Sequence, residues 1–201
     1  QGSRAQTVVI DPGHGGQDGG AVAADGTAES EINLAVSLRL EGILRFAGVP
    51  TEMTRREDVM VCDPGLSTMR QRKVSDIHNR VELVNGIPGA VLLSIHQNSL
   101  PGSKVRGAQV FYNAVEPAQQ LAVSVQQALN SAVNHGSGKN AKQIDDSIYL
   151  MKNIRSPGIL VECGFLSSPA EAELLQTDDH QRRLSAAIVS GYLQSRTEKR
   201  S

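Results

Sequence analysis

Three side chains with the chemistry of metal ligands or proton carriers follow short apolar runs in this sequence. His14 comes after TVVI within TVVIDPGHGGQDGG, His96 follows AVLLSI, and Glu162 ends the run GILVE. Imidazole and carboxylate groups bind metals such as zinc, and they also accept and return protons in catalysis. Whether these groups act together depends on the elements that position them.

The apolar spacing predicts short strands that alternate with helices along the 201 residues. Ile32, Val36, Leu40 and Ile43, for example, follow one another at helical intervals. This alternation predicts an α/β fold: a single domain over 7–195 with a mostly parallel central sheet of about six strands and helices on both faces. The predicted strands cover 7–10, 49–53, 90–95, 108–112, 147–151 and 158–162, and the predicted helices cover 29–46, 67–85, 116–133 and 178–195.

The ends of the predicted strands point to one common site. In a parallel sheet the carboxyl ends of the strands lie at one edge, and ligands bind outside that edge. His14, His96 and Glu162 all stand at such ends. We therefore expect these three side chains to lie near one another.

The glycines around His14 allow a phosphate-binding loop, an ordinary turn or half of a metal site. Gly13 and Gly15 fit a dinucleotide fingerprint, but Asp18 occupies the place of its third glycine, and no lysine follows as in a P-loop. Asp11 and Asp18 would also repel phosphate. Asp-Pro-Gly is a common turn sequence, which explains the glycines but not the histidine.

A metal site with two histidines needs a third ligand, and a glutamate would complete a pattern found in catalytic zinc centres. Glu29 and Glu31 both lie in GTAESEINL, at the start of the first predicted helix. The helix dipole alone also favours acidic residues there. The spacing does not separate the two glutamates, so both are candidates on this criterion.

The remaining histidines and one cysteine are predicted to occupy ordinary structural positions. His78, His135 and His180 lie on or beside predicted helices, where exposure to solvent or helix capping accounts for them. Cys163 neighbours Glu162 on a strand, so its side chain should point to the opposite face and into the core.

Composition argues against several classes of function. The formal net charge is −1, so no basic surface for nucleic acid is indicated. No apolar run reaches the roughly 20 residues of a membrane helix.

Residues 1–6 contain a Gly-Ser pair typical of a cloning remnant, and 196–201 are predicted to form a frayed tail. A removed signal or anchor is expected, so this start does not indicate the cytoplasm.

Seven blocks of the sequence resemble the zinc-dependent N-acetylmuramoyl-L-alanine amidases of the amidase_3 type. They span nearly the whole chain and follow the order of the family. Ser168 departs from the family pattern, which usually has asparagine there, and we expect this to affect a turn rather than the chemistry. The blocks are VVIDPGHGGQDGGA, ESEINLA, TRREDV, NRVELVN, LLSIHQNS, GAQVFY and LVECGFLSSPAEAELL.

The resemblance implies Zn²⁺ as the cofactor and a role for each candidate residue. His14 and His96 match the two histidine ligands. Glu29 matches the carboxylate ligand, with Glu31 at the acidic third place of the same motif. Glu162 matches the catalytic carboxylate. The implied partner is peptidoglycan, cleaved at the amide bond between N-acetylmuramic acid and L-alanine.

Within the family, the blocks SIHQNSLP, RGAQVFY, SIYLMK and LVECGFLSSP look most like the germination-specific sporulation amidases. That likeness implies an exported protein of the cell wall or spore cortex that acts in muramic-δ-lactam formation. A vegetative autolysin or cell-separation amidase is the alternative, and a non-catalytic peptidoglycan-binding module is a remote one. The sequence has no counterpart to the inserted helix that blocks some division amidases. Restraint is therefore expected from outside, for example through an exported accessory or activating protein.

Overall fold

The computed structural model describes residues 6–100, 102, 104–136 and 138–197. Residues 1–5 of the predicted remnant and 198–201 of the predicted tail lie outside this part of the chain. None of the described helices is long and apolar enough to cross a membrane. The elements are β1 (Thr7–Pro12), α1 (Glu29–Phe46), β2 (Thr51–Met53), α2 (Met69–Gly86), β3 (Ala90–Asn98), β4 (Gln109–Tyr112), α3 (Ala118–Ala132), β5 (Lys142–Gln143), α4 (Tyr149–Asn153), β6 (Gly158–Phe165), α5 (Pro169–Leu175) and α6 (Asp178–Thr197).

The strands form one sheet in the order β2-β1-β3-β6-β4-β5. β1 pairs in parallel with β2 and β3, and β3 pairs in parallel with β6. β4 runs antiparallel to β6 and parallel to β5. The predicted single α/β domain with a mostly parallel sheet is therefore confirmed. The carboxyl ends of β1, β3 and β6 lie side by side at one edge.

Alternate side chains of the central strands enter two separate apolar layers. Val8 and Ile10 of β1 face the layer shared with α1, α3 and α6, whereas Val9 faces the layer of α2 and α4. Val84 of α2 and Leu150 of α4 are buried in that second layer. The prediction of helices on both faces is confirmed. Because both faces of the sheet are covered, the strands that end at the carboxyl edge are held in fixed positions.

The prediction of a strand at 147–151 is wrong. Tyr149–Asn153 forms α4, and the sixth strand is instead the two-residue β5, which the apolar pattern does not mark. Leu150, Met151 and Ile154 are buried. Their spacing of i, i+1 and i+4 puts them on one face of a helical turn, so they pack without joining the sheet. A short apolar run does not distinguish a strand from a buried helix.

Two chain segments near the C-terminus also differ from the sequence prediction. The short helix α5 is not predicted; it begins at Pro169, and a proline is well suited to the first turn of a helix. Ser168 is its N-cap residue, so the departure from the family pattern falls at a helix start. α6 continues two residues into the predicted tail, through Thr197.

A buried charge cluster joins α2 to the end of β1. The Arg80 guanidinium lies 2.6 Å from Asp11 Oδ1 and 2.7 Å from Asp76 Oδ2. The hydroxyls of Thr54 and Ser94 donate to the Asp11 carboxylate, each over 2.7 Å. Burial alone would raise the pKa of Asp11, but the charge of Arg80 and the two hydroxyls hold that pKa below its usual value.

The same arginine supports the loop that follows β1. Arg80 donates to the carbonyl oxygens of Pro12 and His14 over 2.9 and 2.8 Å. Arg55, also buried, donates to the carbonyl oxygens of Pro12, Gly13 and Ser30. Two guanidinium groups therefore satisfy consecutive backbone carbonyls of the loop and connect it to the start of α1.

Replacing Arg80 by methionine should destabilise the protein strongly, because Asp11 would remain buried without its cation. We expect the free energy of unfolding in urea to fall by about 3–5 kcal/mol near neutral pH, as for other broken buried ion pairs. Arg39→Met is the matched control, since Arg39 pairs with Asp178 at the surface. That change should cost about 1 kcal/mol or less.

The loss caused by Arg80→Met should also depend on pH. In the wild type, the lowered pKa of Asp11 stabilises the fold above its unfolded value of about 3.9, and this contribution disappears as pH falls through the lowered pKa. In the variant, burial favours the protonated carboxyl, so acid removes the penalty. The difference between the two proteins should therefore shrink below about pH 4. A difference that stays constant across this range would contradict the account.

Candidate metal centre

His14, Glu29 and His96 meet at the carboxyl edge of the sheet. Each offers one ligand atom, and these atoms all lie within 4.8 Å of one another. Glu29 Oε1 is 3.0 Å from His96 Nδ1, and Glu29 Oε2 is 3.5 Å from His14 Nε2. The structure therefore brings together the two histidines and one glutamate that the sequence indicates. Such a group could hold a divalent metal ion.

The glycines of the β1–α1 loop make room for these ligand side chains. A Cβ at Gly13 would lie 2.1 Å from His96 Cε1, and a Cβ at Gly20 would lie 2.5 Å from Glu29 Oε2. His14 itself has a φ of 58°, a left-handed conformation that is uncommon outside glycine. Of the three interpretations of this loop, its geometry fits the metal site best, because its glycines contact the histidine and glutamate side chains.

Glu29 is the glutamate that faces the site, whereas Glu31 is exposed. The backbone N–H groups of Ala21 and Gln97 donate to the two carboxylate oxygens of Glu29 over 2.9 and 3.1 Å. Burial would raise the pKa of Glu29, but the hydrogen bond and charge of His96 outweigh it and lower that pKa to about 2. Glu29 is therefore a fixed, ionised carboxylate.

Glu162 lies on β6 directly across from His96 in the strand register. Its Oε2 atom is buried and has no hydrogen-bond partner within the described part of the chain. Burial raises the pKa of Glu162 to about 7, the nearby Glu29 charge adds to the rise, and the histidines oppose it. A carboxyl group with such a pKa can both take up and release a proton near neutrality.

The other candidate residues lie away from this cluster. His78 is exposed and stacks on Tyr149 at 5.0 Å between ring centroids, and His135 is also exposed. His180 is half-buried on α6. Cys163 is buried in the apolar layer of α1, α3 and α6, as the strand alternation predicts. Among the described residues, no further group of three histidine, cysteine, aspartate or glutamate side chains converges.

Several supporting residues are not identified from the sequence as part of the site. Asn33 donates to the Gly13 carbonyl and to Glu29, over 3.1 and 3.3 Å, and is fully buried. The Asp18 carboxylate lies 3.0 Å from Nδ1 of the His14 ring. Arg55 and Arg80 belong to the blocks TRREDV and NRVELVN, which carry the family resemblance but do not indicate a role for either arginine.

Comparison with known proteins assigns the chain to a family. The family model described as N-acetylmuramoyl-L-alanine amidase, Amidase_3, matches residues 8–194. The germination-specific N-acetylmuramoyl-L-alanine amidase of Bacillus subtilis is 37% identical over 96% of this chain and 80% of that protein. AmiA of Escherichia coli is 25% identical over 94% of this chain and 75% of its own length.

Solved structures agree with this assignment. The CwlD amidase of Clostridioides difficile, solved in complex with the GerS lipoprotein, superposes with a TM-score of 0.91 at 33% identity, covering 96% of this chain and 99% of that one. An N-acetylmuramoyl-L-alanine amidase from Clostridium difficile gives a TM-score of 0.82 at 28% identity, covering 98% of this chain and all of that one. The chain therefore belongs to the Amidase_3 family and is an N-acetylmuramoyl-L-alanine amidase.

Proposed function

We propose that this amidase is a zinc enzyme that cleaves the amide bond between N-acetylmuramic acid and L-alanine of peptidoglycan. The observation that carries the proposal is the group of His14, Glu29 and His96 beside the buried, unpartnered carboxylate oxygen of Glu162. Two imidazoles and one carboxylate match the three-ligand set of catalytic zinc centres. They would leave a divalent ion with a net positive charge.

His14, Glu29 and His96 are proposed to hold the ion, and Glu162 is proposed to move the proton. Bound zinc supplies Lewis acidity, which polarises the scissile carbonyl and acidifies water. Glu162 accepts a proton from the attacking water and returns it to the nitrogen of the leaving amine. The products are the lactyl carboxyl group of the sugar and the free amine of L-alanine.

Spore cortex maturation is the proposed biological role, in which stem peptides are removed so that muramic-δ-lactam can form. The 37% identity to a germination-specific amidase of Bacillus subtilis supports this role, and LytC, another N-acetylmuramoyl-L-alanine amidase of that organism, is only 27% identical. The role implies export to the cell wall or the forespore intermembrane space. An exported accessory protein is also proposed, because the similar CwlD was solved with a lipoprotein.

The bond specificity can be tested by digesting purified muropeptides with the zinc-loaded protein and analysing the products by mass spectrometry. We expect sugar and intact stem peptide to appear as separate species. Cleavage within the stem peptide or within the glycan would contradict the proposal.

Glu162→Gln is the matched variant for this digestion, because glutamine keeps the shape of the side chain but cannot take up the proton. Its turnover should be lower by about 10²–10⁴-fold, the contribution of general acid–base catalysis. Its zinc content should stay near that of the wild type. Normal turnover in this variant would remove Glu162 from the mechanism.

Gly13→Ala tests whether the loop makes room for His96. Gly13 has no positive φ, so the added methyl group acts by displacing the imidazole rather than by straining the backbone. Zinc affinity, measured by competition with a chelator, should fall at least about tenfold. Gly42→Ala is the control, because nothing lies within 4 Å of a Cβ there. Equal affinities of the two variants would contradict the proposed role of the loop.

The spore role can be tested in Bacillus subtilis that lacks its germination-specific amidase. The exported chain should restore muramic-δ-lactam to the cortex, measured by muropeptide analysis of purified spores, and Glu162→Gln should not. If the chain separates vegetative cells but leaves the cortex without the lactam, the vegetative alternative replaces the proposed role.

A further inference from the structure

Asp18 contacts one ring nitrogen of His14, and the other ring nitrogen faces the metal site. Asp18 Oδ2 lies 3.0 Å from His14 Nδ1. On the opposite side of the ring, His14 Nε2 lies 3.5 Å from Glu29 Oε2. The two ring nitrogens of His14 therefore have separate neighbours, one outside the three-residue group and one within it.

The chain between His14 and Asp18 is a tight turn that fixes this contact. The Gly15 N–H donates to the Asp18 carbonyl over 2.8 Å, and the Asp18 N–H donates to the Gly15 carbonyl over 3.1 Å. Arg80 holds the His14 carbonyl from α2. Backbone bonds thus bring the Asp18 carboxylate to the ring, independently of the ring contact itself.

A lysine from α2 holds the second oxygen of the same carboxylate. Lys73 Nζ is 2.8 Å from Asp18 Oδ1, and the Asp18 side chain is 17% exposed. The carboxylate therefore has one oxygen for the lysine and one for the imidazole. This arrangement differs from a simple surface ion pair, in which the acidic group has only the lysine as its partner.

We propose that Asp18 is a positioning residue that keeps the proton on His14 Nδ1, so that the lone pair of Nε2 is available to the metal. A carboxylate accepts hydrogen bonds and cannot donate one, so the nitrogen that faces it carries the proton. Carboxylate partners of this kind fix the tautomer and the orientation of metal-binding histidines. Lys73 anchors the Asp18 carboxylate from α2.

The inference rests on the proposed zinc site, and its test has two separate measurements. The first is zinc affinity by chelator competition. Asp18→Ala should weaken binding by about 10–100-fold, and Asp18→Asn should lie between this variant and the wild type, because the amide oxygen still accepts. Lys73→Met should weaken binding by only about two- to fivefold, since the lysine is half-exposed.

The second measurement is the tautomer of His14 in the metal-free protein, from its ring ¹⁵N chemical shifts. It is made at alkaline pH, so that the neutral ring is observed. The wild type should carry the proton on Nδ1, and Asp18→Ala should shift the population towards Nε2–H. If Asp18→Ala does not fold, Asp18→Asn replaces it with a smaller expected shift, because its amide can present either an acceptor or a donor to Nδ1.

Asp25→Ala is the matched control within the same loop. Asp25 bonds to Thr27 and Gln176 and does not contact His14, so both readouts should stay at wild-type values. Wild-type zinc affinity or an unchanged Nδ1–H tautomer in Asp18→Ala would overturn the inference. If the wild type itself binds no zinc, the proposed function fails, whereas the tautomer comparison still decides the role of Asp18.

Discussion

The buried guanidinium of Arg80 connects the folding of this protein to its chemistry. It neutralises Asp11 at the end of β1, and it also donates to the carbonyls of Pro12 and His14 in the loop beyond. A buried charge needs both a partner and full hydrogen bonding to be tolerated. The contacts that compensate for the burial of the Arg80 charge therefore also hold the loop in the conformation that directs His14 towards the site. Stability and site geometry depend on one set of bonds.

Glu29 and Glu162 lie beside the same histidines, but their surroundings shift the pKa values of the two carboxyl groups in opposite directions. Glu29 accepts backbone and histidine hydrogen bonds, which lower its pKa to about 2. Glu162 has a buried, unpartnered oxygen, and burial raises its pKa to about 7. Separation of this kind commonly divides a charged, stabilising carboxylate from one that exchanges protons. It supports the proposed division into a ligand and a catalytic base.

The features that follow from periodicity could be predicted from the sequence. α1 begins and ends at the predicted residues, and the positions of His14, His96 and Glu162 at one edge follow from the strand ends. The choice between Glu29 and Glu31 could not be made from spacing, because it depends on the rotation of the first helical turn. The family motif favoured Glu29, and the geometry agrees.

Features that depend on tertiary contacts could not be predicted. The segment of α4 satisfies both a strand and a helix pattern, and only its packing on the α2 side distinguishes them. From the sequence, the charge of Asp18 only argues against phosphate binding. Its contact with His14 depends on a turn whose geometry the sequence does not show. Arg55 and Arg80 act through backbone carbonyls, and such contacts have no sequence signature.

The central claim is that the loop after β1, the start of α1 and the end of β3 together form one zinc site. Anomalous X-ray diffraction at the zinc edge, on crystals of the zinc-loaded protein, tests it most directly. We expect one ion at about 2.0–2.2 Å from His14 Nε2, a Glu29 carboxylate oxygen and a His96 ring nitrogen, with the Glu162 carboxylate beside the ion but not bound to it. An ion held by Glu31 or Glu162, or bound elsewhere on the chain, would contradict this account.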